Sequence, residues 1–268
     1  MKFEIWPGPM EGIGKGGFIA AVNQLKLIPR WMTPFVRLSQ ELPRRSKLKE
    51  FYSAFAASEV PVCVQLMGVD PVLLAQAGSV FMELGAESLN LNFGCPSSRV
   101  TSGKAGGGAL KAPEMLKWFC AKVKDGLPPE TSLSVKLRCG WKDPQEMEKI
   151  LPSIVQSGAV SKIFFHYRTV KELYFPLPHE ERVKRFKRAV ELADGIPVVI
   201  NGDISSVDEA AAPIPKAPWH SLPRAFFSFS PSRWPFAPQP VFLTSRQWTH
   251  GSRPRCISSS PCWPLFFV

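Results

Sequence analysis

Two rhythms of apolar and polar positions alternate along the chain. Short stretches with the two-residue period or the continuous apolar content of strands recur at residues 3–6, 31–37, 60–67, 88–93, 132–138, 162–166 and 197–201. Helical spacings fill the intervals: Leu48, Phe51 and Phe55; Leu73, Leu74, Ala77, Val80, Phe81 and Leu84; Met115, Leu116, Phe119 and Val123. A last helix, from 179 to about 193, places Val183, Phe186 and Val190 on one face. Arg182, Lys184, Arg185, Lys187 and Arg188 crowd its other sides, as a solvated surface or as an RNA contact. Strands that alternate with helices imply an α/β protein with a parallel sheet, here a (β/α)8-type TIM barrel with about seven strands.

Polar residues interrupt the strands in one consistent way. Gln65, Asn92, Lys136, His166 and Asn201 lie near strand ends, each on the opposite side from its apolar neighbour Val64, Leu91, Val135, Phe165 or Ile200. Barrel enzymes assemble their sites at that carboxyl-terminal rim, so the five residues are expected to converge there. The strand at 88–93 runs directly into Gly94-Cys95-Pro96, a turn that presents one thiol. The run Gly103-Lys104-Ala105-Gly106-Gly107-Gly108 follows, where the backbone is expected to approach a ligand, before Pro113-Glu114 opens the next helix.

A length of 268 residues suits one large domain, and 45% hydrophobic with 21% charged residues is ordinary for a soluble enzyme. The six cysteines form no CxxC pair, so neither a metal site nor a disulfide framework is expected. Residues 1–7 lack the apolar run of a signal peptide and no stretch is long and apolar enough for a membrane span, which points to a cytoplasmic protein. The net charge of +11 suits a nucleic-acid partner, but residues 211–268 supply six of those charges with no Asp or Glu at all. Beyond residue 208 the composition changes. The stretch 209–268 holds 11 of the 27 prolines and four of the eight tryptophans, with no sustained period. Two domains are therefore expected: a barrel over 1–208 and an aberrant tail over 209–268, disordered or read from a shifted frame. The tail is not expected to form the barrel's eighth unit.

Seven blocks, Pro9-Met10-Glu11-Gly12, Phe35-Val36-Arg37, Val64-Gln65-Leu66-Met67-Gly68, residues 87–100, residues 135–141, His166-Tyr167-Arg168-Thr169 and Asn201-Gly202-Asp203, resemble in sequence and order the tRNA-dihydrouridine synthases. The likeness is to the bacterial type, nearest its C-type branch. It implies an oxidoreductase that uses FMN, with NADPH as reductant, to saturate the C5=C6 bond of a uridine in tRNA. It implies Cys95 as the catalytic proton donor. It also implies flavin contacts from Pro9, Met10, Gln65, Lys136, His166, Asn201, Gly202 and Asp203, and substrate contacts from Asn92, Arg168 and Arg37. Tyr167 stands where the family has a glycine, and is expected to narrow the pocket. The family's Gly-Arg-Gly segment after strand eight and its C-terminal helical domain have no counterpart in 209–268.

The chemistry agrees with the residue types. A thiol with a reference pKa near ~8.5 is protonated at neutral pH and can serve as an acid without special tuning. Lys136, inside an apolar strand, needs a partner such as a flavin ring that becomes anionic on reduction, or else must snorkel to the strand end. Cys63, Cys120 and Cys139 read as small buried hydrophobes. Two other functions fit parts of the pattern: a dihydroorotate-dehydrogenase-like FMN barrel, against which the Gly-Cys-Pro turn argues, and a non-functional fragment that binds RNA weakly by charge.

Overall fold

The structure, a computed structural model, describes residues 6, 8–9, 16–25, 28–203 and 226–227. Eight parallel strands follow one another round a curled sheet: β1 (Trp31–Met32), β2 (Val36–Arg37), β3 (Val62–Met67), β4 (Ser88–Phe93), β5 (Ser132–Arg138), β6 (Lys162–His166), β7 (Val198–Asn201) and β8 (Phe226–Phe227). Both β1 and β2 pair with β3, and the remaining strands pair in chain order. Strands β3, β4 and β7 are buried along their whole length, as expected for a parallel sheet covered on both faces.

Helices cover the outside in sequence order, α1 (Gly16–Gln24) against α2 (Arg45–Ala56), then α3 (Pro71–Glu83), α5 (Pro113–Asp125), α6 (Met147–Val155) and α7 (His179–Leu192). The short α4 (Ser98–Thr101) lies on the rim. Local chemistry starts these helices at fixed points. The Asp70 carboxylate accepts from the backbone N–H of Val72 and Leu73, with Pro71 at the first helical position. Pro113 opens α5 with Glu114 in its first turn and Lys122 and Lys124 in its last, matching the helix dipole.

The core has two parts. The larger lies between sheet and helices, where residues such as Leu66, Leu89, Leu91, Phe81 and Ile150 are wholly buried. A smaller cluster fills the barrel interior at its amino-terminal end: Trp6, Met32, Cys63, Phe164 and Val199. Met32 and Val199 come from β1 and β7, far apart in the strand order, so their shared cluster shows how strongly the sheet curls. Trp6 closes this end, edge-on to Phe164 at 5.1 Å and overlain by Arg30 and Lys162.

The structure modifies several sequence expectations. The strand expected at 31–37 is two short strands, because Pro34 has no N–H to donate and Thr33 Oγ1 instead bonds the Gln65 N–H and the Pro34 carbonyl. A minimal eighth strand does form, Phe226 and Phe227 pairing with Val199 and Ile200. The rest of the tail, and the strand expected at 3–6 apart from Trp6, lie outside the described residues. Helices α1 and α6 carry weak signals, a Gly-Gly start in one and an internal Pro152 in the other.

Candidate active site

The inward side chains stack in layers above the apolar plug. The first polar layer is Gln65, Asn90 and Ser134. Gln65 Nε2 donates to Asn90 Oδ1 at 2.7 Å, Asn90 Nδ2 to Ser134 Oγ at 2.9 Å, and Ser134 Oγ to the Leu89 carbonyl at 3.0 Å. These groups are buried, so the network satisfies amides that would otherwise be costly to desolvate. Gln65 is thus one layer below the rim rather than on it.

Asn92 links this layer to the cysteine turn. Its Nδ2 donates to Gln65 Oε1 at 2.8 Å, while its Oδ1 accepts from the N–H groups of Gly94 and Cys95 at 3.0 and 2.9 Å. The Cys95 carbonyl accepts from the Gly107 N–H at 3.0 Å, which fixes the turn from its other side. Cys95 is half-buried, packed beside Met67, Val100, Ala105 and Phe35. The glycine run does approach something closely, but that something is the protein itself. A Cβ on Gly107 would lie 2.6 Å from Val170 Cγ2 and 3.0 Å from the Cys95 carbonyl. The run is required so that the thiol turn can seat on it.

Directly across the ladder from Asn92 is Lys136. Its amine has no hydrogen-bond or ion-pair partner among the described residues. Burial, with the nearby Arg138 charge, pushes it down to about 8, an effect that the Cys95 side opposes. Arg138, two residues on and on the same face, is 3% exposed. Its Nε donates to the Gly94 carbonyl at 3.0 Å, and its Nη1 to those of Thr169 and Leu173 at 2.9 and 2.7 Å. It therefore ties the cysteine turn to the loop after β6. Sequence reasoning passed over Arg138 as a site residue, although the alternation Ser134, Lys136, Arg138 marks it as inward-facing.

His166 ends β6, opposite Arg138 on one side and Asn201 on the other. The Arg168 N–H donates to its Nδ1 at 3.2 Å, so the neutral ring carries its proton on Nε2. Burial first, then the charges of Arg138, Lys136 and Arg168, hold its pKa well below the usual value, and the ring is neutral at pH 7. Gly202, at φ +105°, passes so close that a Cβ would lie 2.8 Å from His166 Nε2. Only glycine is suited to that position. Asn201 is buried beside it.

Arg168 is 1% exposed, with Nε bonded to the Phe175 carbonyl at 2.7 Å and Nη2 paired with Asp203. Its Nη1 is buried without a partner among the described residues. Burial would raise the Asp203 carboxyl, but the Arg168 hydrogen bond and charge prevail and hold it below the usual range. Tyr167 packs in the outer core with Phe186 and Val170, and its ring also lies 5.2 Å from the His166 ring, with the Arg168 guanidinium over it. Arg185 on α7 is also buried. It is bidentate to Glu172 at 2.8 and 3.0 Å and bonds Glu181 and the Tyr167 carbonyl, which removes it from the solvated face expected for that helix.

Cys95, Asn92, Lys136, His166 and Asn201 are thus brought to one rim, with Gly202, Asp203 and Arg168 at its β6–β7 side. Arg37 stands apart, exposed at the end of β2 near Gly103. Pro9 is half-buried, and Met10 lies outside the described residues. Burial pushes Cys63 up to about 11 and Cys120 and Cys139 up to about 12, which suits inert core thiols. Among the described residues no cluster of His, Cys, Asp or Glu could hold a metal, and no helix is long and apolar enough to cross a membrane.

The rim is strongly electropositive. Lys136, Arg138 and Arg168 surround one neutral imidazole, and of these only Arg168 has a carboxylate partner among the described residues, Asp203. Gathering like charges out of water is unfavourable unless an anion joins them, so the unpaired Lys136 amine and the orphaned Arg168 Nη1 fit an anionic, phosphate-bearing group.

Comparison with known proteins adds an independent finding. Residues 7–217 match the model of the family described as dihydrouridine synthase (Dus). A tRNA-dihydrouridine(16) synthase of Pseudomonas syringae is 31% identical over 206 residues, covering 75% of this chain and 63% of the relative. The one from Haemophilus influenzae is 33% identical over 207 residues, covering 73% and 64%. The chain therefore spans less than two thirds of the length of these relatives. Among solved structures, morphinone reductase aligns with TM-score 0.54 at 9% identity, covering 84% of this chain and 81% of that one. QR15, an aldolase, aligns with TM-score 0.51 at 14% identity, covering 78% and 84%. At such identities the likeness is one of fold.

Proposed function

The chain belongs to the dihydrouridine synthase family, and from that premise we propose that it is a flavin-dependent oxidoreductase that reduces the C5=C6 bond of a uridine in tRNA. The observation that carries the proposal is the half-buried, unpaired Lys136 amine, held across the ladder from the Asn92 that shapes the Cys95 turn. The relatives are named tRNA-dihydrouridine(16) synthases, and we propose the same uridine as the target here.

Reduced FMN, when bound, supplies the hydride for C6, with NADPH as the reductant. The chain's own residues do the rest. Lys136 offers positive charge to an anionic ring, and its depressed pKa returns towards normal when that anion arrives. His166 offers the Nε2 proton, Asn201 and Gly202 line the same side, and Arg168 offers its free Nη1, with Asp203 holding that guanidinium in place. Cys95 Sγ gives a proton to C5, so one hydride and one proton account for the two added hydrogens. Asn92 and Gly107 keep that thiol from drifting by holding the N–H and carbonyl of its residue. Gln65 acts on the substrate side only through Asn92. By the family resemblance Pro9 and Met10 would contribute flavin contacts and Arg37 a contact to RNA. A tRNA substrate supports the expected cytoplasmic location.

The test is direct. Purified protein should carry visible flavin absorbance, and Lys136→Ala should lower flavin retention or its rate of reduction while the folded structure persists. Equal flavin content and equal reduction rate in the variant would reject the assignment of Lys136.

A further inference from the structure

Next to the rim, and outside the residues assigned above, two lysines share one indole. Lys111 Nζ lies 4.1 Å and Lys171 Nζ 5.1 Å from the Trp141 ring centroid. Three separate segments supply the group: Lys111 ends the 3-10 helix of the glycine run (Gly106–Lys111), Trp141 follows β5, and Lys171 follows β6. Backbone bonds fasten the latter two, Lys171 N–H to the Trp141 carbonyl at 2.9 Å and Val170 N–H to the Gly140 carbonyl at 2.9 Å.

None of the nearby carboxylates pairs with these lysines among the described residues: Asp143 accepts from the Gln145 N–H, and Glu114 on α5 is exposed. Glu146 accepts from the backbone N–H groups of Trp141 and Lys142, and Glu172 is bidentate to Arg185. Neither ammonium has an ion-pair partner among the described residues, and exposed Lys142 adds a third positive charge beside them. Two ammonium groups on one ring repel each other, so the arrangement favours an anion that can bridge them.

The position decides which anion. Val170, next to Lys171, packs on Gly107, which in turn bonds the Cys95 carbonyl. Lys111 is four residues beyond Gly107 along a 3-10 helix, roughly 8 Å at ~2 Å rise per residue. The group therefore lies within a short run of nucleotides of the cysteine turn. We propose that Lys111, Trp141 and Lys171 form a phosphate-binding site for the tRNA backbone flanking the target uridine, an inference that rests on the tRNA substrate proposed above. The lysines position the strand and take no part in the reduction.

The experiment measures binding of an unmodified tRNA transcript by the full chain across a range of salt. Each phosphate contact contributes ~0.7–0.9 to the slope of log affinity against log salt, so Lys111→Ala with Lys171→Ala, which together release the one bridged phosphate, should shallow that slope by ~0.7–0.9. Replacement of both by Arg should retain it, and Lys149→Ala, an exposed lysine on α6, should leave it unchanged. Flavin content should be equal in all variants. An unaltered slope in the double alanine variant, with wild-type binding intact, would overturn the phosphate site alone. Failure of the wild-type chain to bind tRNA at low salt would overturn both this site and the tRNA reading.

Discussion

Removing the Asn92 side chain is the sharpest test of how the cysteine turn is held. Asn92→Ala deletes three hydrogen bonds at once: the two that its Oδ1 accepts from Gly94 and Cys95, and the one that its Nδ2 donates to Gln65. At ~1 kcal/mol net for each bond the loss is about 3 kcal/mol, and a buried Gln65 carbonyl left without its donor resists any reduction of that figure. Asn92→Asp keeps the acceptor for both N–H groups but turns a carboxylate oxygen towards Gln65 Oε1 in a buried site, so it should still destabilise the protein while it holds the cysteine turn. Denaturant unfolding of the three proteins gives these differences. Thiol labelling, with Cys95 located by peptide mapping, gives a second reading: faster labelling in Asn92→Ala and near wild-type labelling in Asn92→Asp. An Asn92→Ala protein within ~0.5 kcal/mol of wild type, with unchanged labelling of Cys95, would refute the idea that this amide shapes the turn.

Three further outcomes are expected. Lys136 is charged in both the folded and unfolded chain below about 8, so its desolvation penalty is fully present there. Between about 8 and its ordinary 10.5 the folded chain loses the proton first, and stability rises with pH. The stability advantage of Lys136→Met over wild type, measured by urea unfolding, should therefore shrink across that window; a constant difference would contradict the shift. Gly107→Ala should cost ~1–3 kcal/mol by forcing Val170 and the Cys95 carbonyl apart, and Val170→Ala should recover part of it in a double-mutant cycle. Arg185→Met should destabilise by ~1–3 kcal/mol in thermal or denaturant unfolding, because it leaves the part-buried Glu172 carboxylate with only Thr169 as a donor among the described residues. A loss below ~0.5 kcal/mol would show that clamp to be incidental.

The barrel was legible because its signal is periodic. Strands β4, β5 and β6 begin and end where their alternation does, and α7 follows its apolar face to within a residue. Prolines limited the reading elsewhere. Pro34 splits one expected strand, and Pro152 lies inside a helix that tertiary packing imposes against propensity. The site was legible to the depth that strand alternation reaches, since Asn92, Lys136, His166 and Asn201 share the inward face. What alternation does not encode is which partner satisfies a polar group. Hence Gln65 proved to belong to a lower layer, Arg138 emerged as a tie between two loops, and Arg185 emerged as a buried anchor of α7 rather than a surface charge. The glycine run was recognised as a site of close approach, but sequence could not say that the Cys95 turn and Val170 were what approached it.

The claim that Cys95 gives the proton to C5 is tested most directly by separating the two half-reactions in flavin-loaded protein. Flavin reduction by NADPH and single-turnover formation of dihydrouridine in unmodified tRNA should be measured for wild type and Cys95→Ala. The account predicts flavin reduction within about twofold of wild type and dihydrouridine formation slowed by ~10²-fold or more, as expected for the loss of a general acid. Equal losses in both half-reactions would make Cys95 a structural residue, and full activity in the variant would contradict the mechanism outright.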